Sequence, residues 1–182
     1  GYYQVFLNYF DSTESEVLTD NDWDVTEVLG YDAANELVYF VGAKESPINR
    51  EIYSVNLSGK VKKISKKIGW HSPKFSTTFD FYIDTYSTAN TPPVYAVHDR
   101  KGKEKRVLES NQALSETIAE FGYNQQEFFT FTTDEGTELH GWKILPPNFD
   151  AAQEYPVFMY VYGGPGSQTV TNRWGGFNAA WF

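Results

Sequence analysis

Apolar positions in the first hundred residues fall into short runs separated by polar, glycine-bearing gaps. Leu37-Val38-Tyr39-Phe40-Val41 and Ile52-Tyr53-Ser54-Val55 are rich in β-branched and aromatic residues, and Gly, Asn, Ser and Pro punctuate the stretches between such runs. That combination predicts short strands. The pattern also recurs. Val38–Val41 matches Phe81–Asp84 at an offset of 43, Ile52–Val55 matches Val94–Val97 at 42, and Ile64 matches Leu108 at 44. A recurrence of about 40–50 residues with several short strands per unit is the sequence signature of propeller blades.

Each unit reads as four strands. The first places them at Thr26–Gly30, Leu37–Gly42, Glu51–Asn56 and Val61–Ile64; the second at Ser72–Ser76, Phe79–Thr85, Val94–His98 and Arg106–Leu108. Gly59 and Gly102 fall in the turns, where a positive φ is needed. Gln4–Asn8 and Glu16–Leu18 match the last two strands of a preceding unit, so the sequence is expected to be a fragment opening inside a repeat. Two and a half blades fall short of the about 4–8 that close a ring. The alternative is a β-sandwich whose halves are similar by accident.

Beyond residue 110 the period changes. Leu114, Ile118 and Phe121 lie at i, i+4 and i+7, a helical stripe, with Asn111 as the expected N-cap and Gly122 as the residue after the C-cap. Glu127–Thr133 and Glu138–Leu145 flank Asp134-Glu135-Gly136 and predict an antiparallel hairpin that Pro146-Pro147 ends. Val157-Phe158-Met159-Tyr160-Val161-Tyr162 is apolar or aromatic on both pleat faces, the pattern of a central strand covered on both sides. It runs into Gly163-Gly164-Pro165-Gly166-Ser167, a glycine-rich loop at the carboxyl end of a strand. Such a loop is either a ligand site or a tight connection.

Composition narrows the chemistry. The 182 residues are 41% hydrophobic, 18% aromatic and 21% charged, which excludes an ordinary disordered segment. No apolar run of about 18 residues is present, so no spanning helix is encoded. Gly1-Tyr2-Tyr3-Gln4 shows no basic stretch ahead of an apolar one, and no signal peptide is visible. The absence of cysteine excludes a disulfide framework, a thiolate nucleophile and a thiolate metal site. A net charge of −9 speaks against a phosphate-backbone partner. The charge divides unevenly, with 13 basic and 15 acidic residues through residue 106 but 2 and 9 thereafter, a hint of two regions.

His71, His98 and His140 are scattered and have no H-x-x-x-H spacing, so they read as structural and no metal site is expected. No G-x-S-x-G occurs, because Pro165 and Thr169 stand where a serine elbow at Ser167 needs glycine. No Gly-Lys-Ser/Thr follows the loop, so it is not a P-loop. Lys60, Lys62, Lys63, Lys66 and Lys67, interleaved with Val61 and Ile64, read as a solvated edge strand.

Three stretches together resemble the dipeptidyl peptidase IV branch of the prolyl oligopeptidase family of serine peptidases. They are Ile144-Leu145-Pro146-Pro147-Asn148-Phe149-Asp150, Tyr155-Pro156, and Val161-Tyr162-Gly163-Gly164-Pro165-Gly166-Ser167-Gln168. Arg106–Leu114 resembles the family's connection out of its last blade, and the similarity runs from about Thr19 to Phe182. The resemblance implies a mostly β chain: the final blades of a β-propeller over 1–110, then the first strands of an α/β-hydrolase domain over 111–182. It implies a serine exopeptidase that releases N-terminal dipeptides or tripeptides, commonly after proline or alanine, from a peptide substrate with a free N-terminus. Tyr162 matches the family's oxyanion-hole tyrosine; the nucleophilic serine, aspartate and histidine have no counterpart here, so this stretch alone is expected to be inactive. No cofactor is implied, a periplasmic or extracellular location is favoured, and a homodimer is an option for the intact enzyme. Two other readings stay open: a non-catalytic peptide- or glycan-binding β module, and an acylaminoacyl-type peptidase of the same fold.

Overall fold

The computed structural model describes the chain except for residues 12, 123, 163, 165 and 177–182. A short antiparallel ribbon comes first, β1 (Phe6–Asn8) with β2 (Ser15–Val17). A four-stranded meander follows, built from β3 (Val25–Asp32), β4 (Leu37–Gly42), β5 (Glu51–Asn56) and β6 (Val61–Lys63) in the order β3-β4-β5-β6. A second meander of the same form contains β7 (Trp70–Phe75), β8 (Phe81–Thr88), β9 (Thr91–Asp99) and β10 (Glu104–Glu109). Both sheets are antiparallel throughout. The eight strands expected from the repeat are all present, with ends displaced by a few residues. The largest displacements, three residues each, are at the end of β8 and the start of β9; β9 begins at Thr91 because Pro92 and Pro93 sit beside a register irregularity between Tyr86 and Thr88 instead of ending the strand.

The reason for the continuous apolar runs of β4 and β5 is visible in the packing. Phe40, Tyr53 and Val55 point to one side, where they join Val5, Leu18 and Val25 against the ribbon. Tyr39 and Ile52 point to the other side and pack with Ile64 and with Tyr82 of the second sheet. A sheet covered on both faces needs apolar residues at odd and even positions alike. Fully burying one such side chain is worth roughly 1.5–3 kcal/mol. Rings dominate both layers: Trp23 stacks on Phe40, and Tyr39 stacks on Phe79 with centroids 5.4 Å apart.

Successive units repeat one contact. Gly59, at the β5–β6 turn with φ 78°, leaves room for Leu18 O, 3.4 Å from where its Cβ would stand. Gly102, at the β9–β10 turn with φ 81°, approaches Ile64 so closely that a Cβ would lie 2.2 Å from its carbonyl oxygen. In each case the turn tip presses on the residue that ends the preceding unit, so the sheets stack in series as propeller blades do. A parallel bridge ties the first sheet to the second: Arg50 N–H donates to Gly69 O and His71 N–H donates to Arg50 O, both at 2.9 Å.

The later part of the chain is more open. Helix α1 (Gln112–Glu120) is followed by the hairpin β11 (Glu127–Thr132) and β12 (Glu138–Lys143). Asn111 does precede the helix, but it is left-handed (φ 50°) and makes no side-chain cap; its amide Nδ2 instead donates to Pro93 O at 2.7 Å, tying the helix start to β9. The expected stripe is present without a cover, since no residue of α1 is buried. Lys66 and Lys67 lie beyond β6, which ends at Lys63, so the edge strand is shorter than expected. One expectation is corrected outright. Residues 157–162 form no strand, and no described strand pairs with them. Among the described residues no helix is long and apolar enough to cross a membrane.

Candidate functional site

Tyr162 ends the exposed apolar run and is itself 52% exposed. Its ring lies over the backbone of Gly164: a Cβ there would stand 2.7 Å from Tyr162 Oη and 2.9 Å from Cε1 and Cζ. Only a residue without a side chain permits this approach unless the ring moves. Gly163 and Pro165, the other residues expected to shape this loop, lie outside the described residues.

Downstream of the loop the chain is seated on the two sheets. Gln168 Oε1 accepts from Arg50 Nη2 at 2.7 Å, while Gln168 Nε2 donates to Pro47 O at 2.7 Å and Val170 O at 3.0 Å. Asn172 N–H donates to Ile48 O at 2.8 Å. Its side chain donates from Nδ2 to Asn49 Oδ1 and accepts at Oδ1 from Ala89 N–H, both at 3.0 Å. Trp174 N–H donates to Ser87 Oγ at 3.3 Å. Trp70 carries two guanidinium groups over its ring, Arg50 at 4.7 Å and Arg173 at 5.4 Å. Burial lowers the pKa of Arg50 from its usual value, and Pro47 O, Asn49 O and Gln168 Oε1 all accept from its fork. A second tie lies nearby, where Asn90 Nδ2 donates to Gln126 O and Gln126 N–H donates back to Asn90 Oδ1.

The histidines occupy different settings. His71 is buried, and its Nδ1–H donates to Asp84 Oδ2 at 2.6 Å while Nε2 faces Lys67 O at 2.9 Å. With both nitrogens committed, the pair has no free position from which to take a proton from a nucleophile, although His beside Asp is the arrangement a general base would use. Tyr82 and Tyr86 line the same cleft, between the second sheet and the connector at Ser65–Lys67; burial, then the nearby Asp84, raises both hydroxyls above their ordinary pKa. Tyr82 stacks on His98, and Tyr86 donates to Ile68 O at 2.9 Å. His140 lies half-buried in β12, opposite Thr130. Among the described residues no group of three or more His, Cys, Asp or Glu is arranged to hold a metal ion.

The structure thus leaves Tyr162 open, folded over Gly164, and followed by a segment pinned to both sheets. Sequence reasoning reached Tyr162 and its loop but missed the seat. Arg50, Trp70 and Asn172 are distant in sequence, and nothing in their local spacing signals that they meet.

Comparison with known proteins places this arrangement. The family described as "Dipeptidyl peptidase IV (DPP IV) N-terminal region" matches residues 1–93. A "Dipeptidyl peptidase 4" from Arthroderma otae is 32% identical over 179 residues, covering 96% of this chain and 23% of the relative. One from Trichophyton rubrum is also 32% identical over 179 residues, with the same coverage of 96% and 23%. The crystal structure of Porphyromonas gingivalis dipeptidyl peptidase 4 superposes with a TM-score of 0.87 at 38% identity, covering 94% of this chain and 24% of that one. The chain therefore spans about a quarter of the length of the proteins it matches. With a match over half its length and two blade-like sheets in series, the chain belongs to the dipeptidyl peptidase IV N-terminal region family.

Proposed function

We propose that this chain is the stretch of a serine-type dipeptidyl peptidase in which the last propeller blades, over 1–110, pass into the opening of the α/β-hydrolase domain, over 111–182. Tyr162 supplies an oxyanion donor. When a serine Oγ adds to the scissile carbonyl, the carbonyl oxygen takes on negative charge, and a hydroxyl already aimed at that position lowers the barrier without reorganising. The observation that carries this reading is the ring of Tyr162 lying over Gly164 with the residue still half exposed. The relatives' names supply the reaction class, removal of a dipeptide from a peptide N-terminus. The serine nucleophile and its partners lie outside this stretch, since the sequence contains no G-x-S-x-G. The chain alone is therefore inactive.

The test is Tyr162→Phe in the full-length enzyme, with turnover of an Xaa-Pro amide as the readout. Removing one oxyanion donor costs about 10²–10³ in kcat in comparable sites. A loss of at least about a hundredfold with little change in KM is expected, and a loss below about tenfold overturns the assignment. Hydrolysis of the same amide by the isolated chain would overturn its predicted inactivity.

A further inference from the structure

We infer that Asn172, with Arg50 and Gln168, forms a clamp across the seam between the two sheets and that this clamp sets where the Tyr162 hydroxyl points. The inference rests on the oxyanion role proposed above and adds positioning residues to it. Its starting point is the side-chain amide of Asn172, which is used at both ends. Oδ1 accepts from Ala89 N–H in the β8–β9 turn of the second sheet, and Nδ2 donates to Asn49 Oδ1 in the β4–β5 loop of the first. The backbone N–H of Asn172 adds a bond to Ile48 O. Asn49 and Ala89 are both buried, so each polar group that Asn172 satisfies would be costly to leave unpaired.

Gln168 makes a parallel connection. Arg50 is fixed at its backbone to Gly69, just ahead of β7, and to His71 of the second sheet, at Nη1 to Pro47 O and Asn49 O, and reaches Gln168 with Nη2. The Trp70 ring lies 4.7 Å from the Arg50 guanidinium and 5.4 Å from that of Arg173, adding cation–π contacts at the seam. Thus Gln168 and Asn172 are each held by groups whose positions depend on both sheets at once.

Two facts make this more than local packing. No described residue between 164 and 174 is buried, and none belongs to a strand or helix. The described hydrogen bonds that leave this segment all run to the loops and strand ends of the two sheets. Among the described contacts, these side chains are what hold the segment that follows Gly164, against which the Tyr162 ring lies. Oxyanion donors act only when aimed in advance, and a displacement of about 1 Å can cost about 10²-fold in rate.

A double-mutant cycle in the full-length enzyme tests the clamp. Asn172→Ala is expected to lower kcat for an Xaa-Pro amide by about tenfold with KM changed by less than about twofold. Combined with Tyr162→Phe, the same substitution should cost less than about twofold, because the donor it aims is already gone. Gln168→Ala, at an exposed position, should show the same dependence at about threefold and serves even where Asn172→Ala fails to fold. Full losses that persist in the Tyr162→Phe background, or no loss from either variant, overturn the clamp and leave the oxyanion role standing. A silent Tyr162→Phe overturns the oxyanion role itself.

Discussion

Val41 and Val161 occupy matching places in two apolar, β-forming runs, yet Val41 is 3% exposed and Val161 is 74%. Tyr39 and Tyr160 repeat the contrast at 1% and 69%. The runs do not differ in composition enough to explain it. They differ in their neighbours: β4 lies between two strands and two layers, whereas no described strand adjoins residues 157–162. The same division extends over the whole chain. Buried residues occur up to Gly102, and no described residue from 103 to 176 is buried. A β-forming run is thus a request for partners, and burial follows only where the fold supplies them on both edges and both faces.

The sharpest way to break that comparison is truncation of one side chain in each region. Phe40→Ala removes a ring from the layer between ribbon and first sheet and should cost about 3–5 kcal/mol, measured as a shift in the urea midpoint of this chain. Met159→Ala should change stability by no more than about 0.5 kcal/mol. A comparable loss at Met159 would show that the run is covered after all.

Glycines offer a finer comparison. Gly102 and Gly136 share the same left-handed backbone, φ 81° and 83°, but a Cβ at 102 meets Ile64 O while one at 136 meets nothing within 4 Å. Gly136→Ala should therefore cost only the backbone term, about 1–2 kcal/mol, and only within its hairpin. Gly102→Ala should add about 1–3 kcal/mol for pushing the two sheets apart. Equal costs would show that the blade-to-blade contact is slack.

A smaller contribution than that of either Phe40 or Gly102 comes from Asp99, at the same β9–β10 turn. A hydrogen bond from the Lys105 ammonium, supported by the N–H groups of Lys103 and Lys101, holds its carboxyl down at about 2 against an opposing push from burial. A lowered folded-state pKa means that this contribution is complete above the unfolded value near 3.9 and is lost as the pH falls through about 2. Solvent screening keeps it under about 1 kcal/mol. Asp99→Asn should flatten the stability profile between pH 4 and 2 by that amount; an unchanged slope would mean that the Lys105 contact does not persist in solution.

What a sequence makes legible follows the range of the forces involved. Strand positions in both sheets depend on local pattern, and a strand such as Glu51–Asn56 was placed to the residue. The turns at Gly59 and Gly102 depend on one backbone torsion that glycine adopts freely, so they were readable too. Asn111 was placed correctly beside the helix but with the wrong task, because its side chain answers to Pro93, distant in sequence. The His71–Asp84 pair and the Asn172 clamp were invisible for the same reason: hydrogen bonds between side chains leave no period in the sequence.

Repeat spacing and turn chemistry, both written in neighbouring residues, thus settled where strands form, how they are joined, and which phenol stands before a glycine loop. Only the tertiary structure decided which of two similar apolar runs is buried, and which side chains hold the loop after Tyr162. Burial and side-chain pairing require groups from distant parts of the chain to meet at van der Waals or hydrogen-bond distance, and sequence proximity carries no information about those meetings.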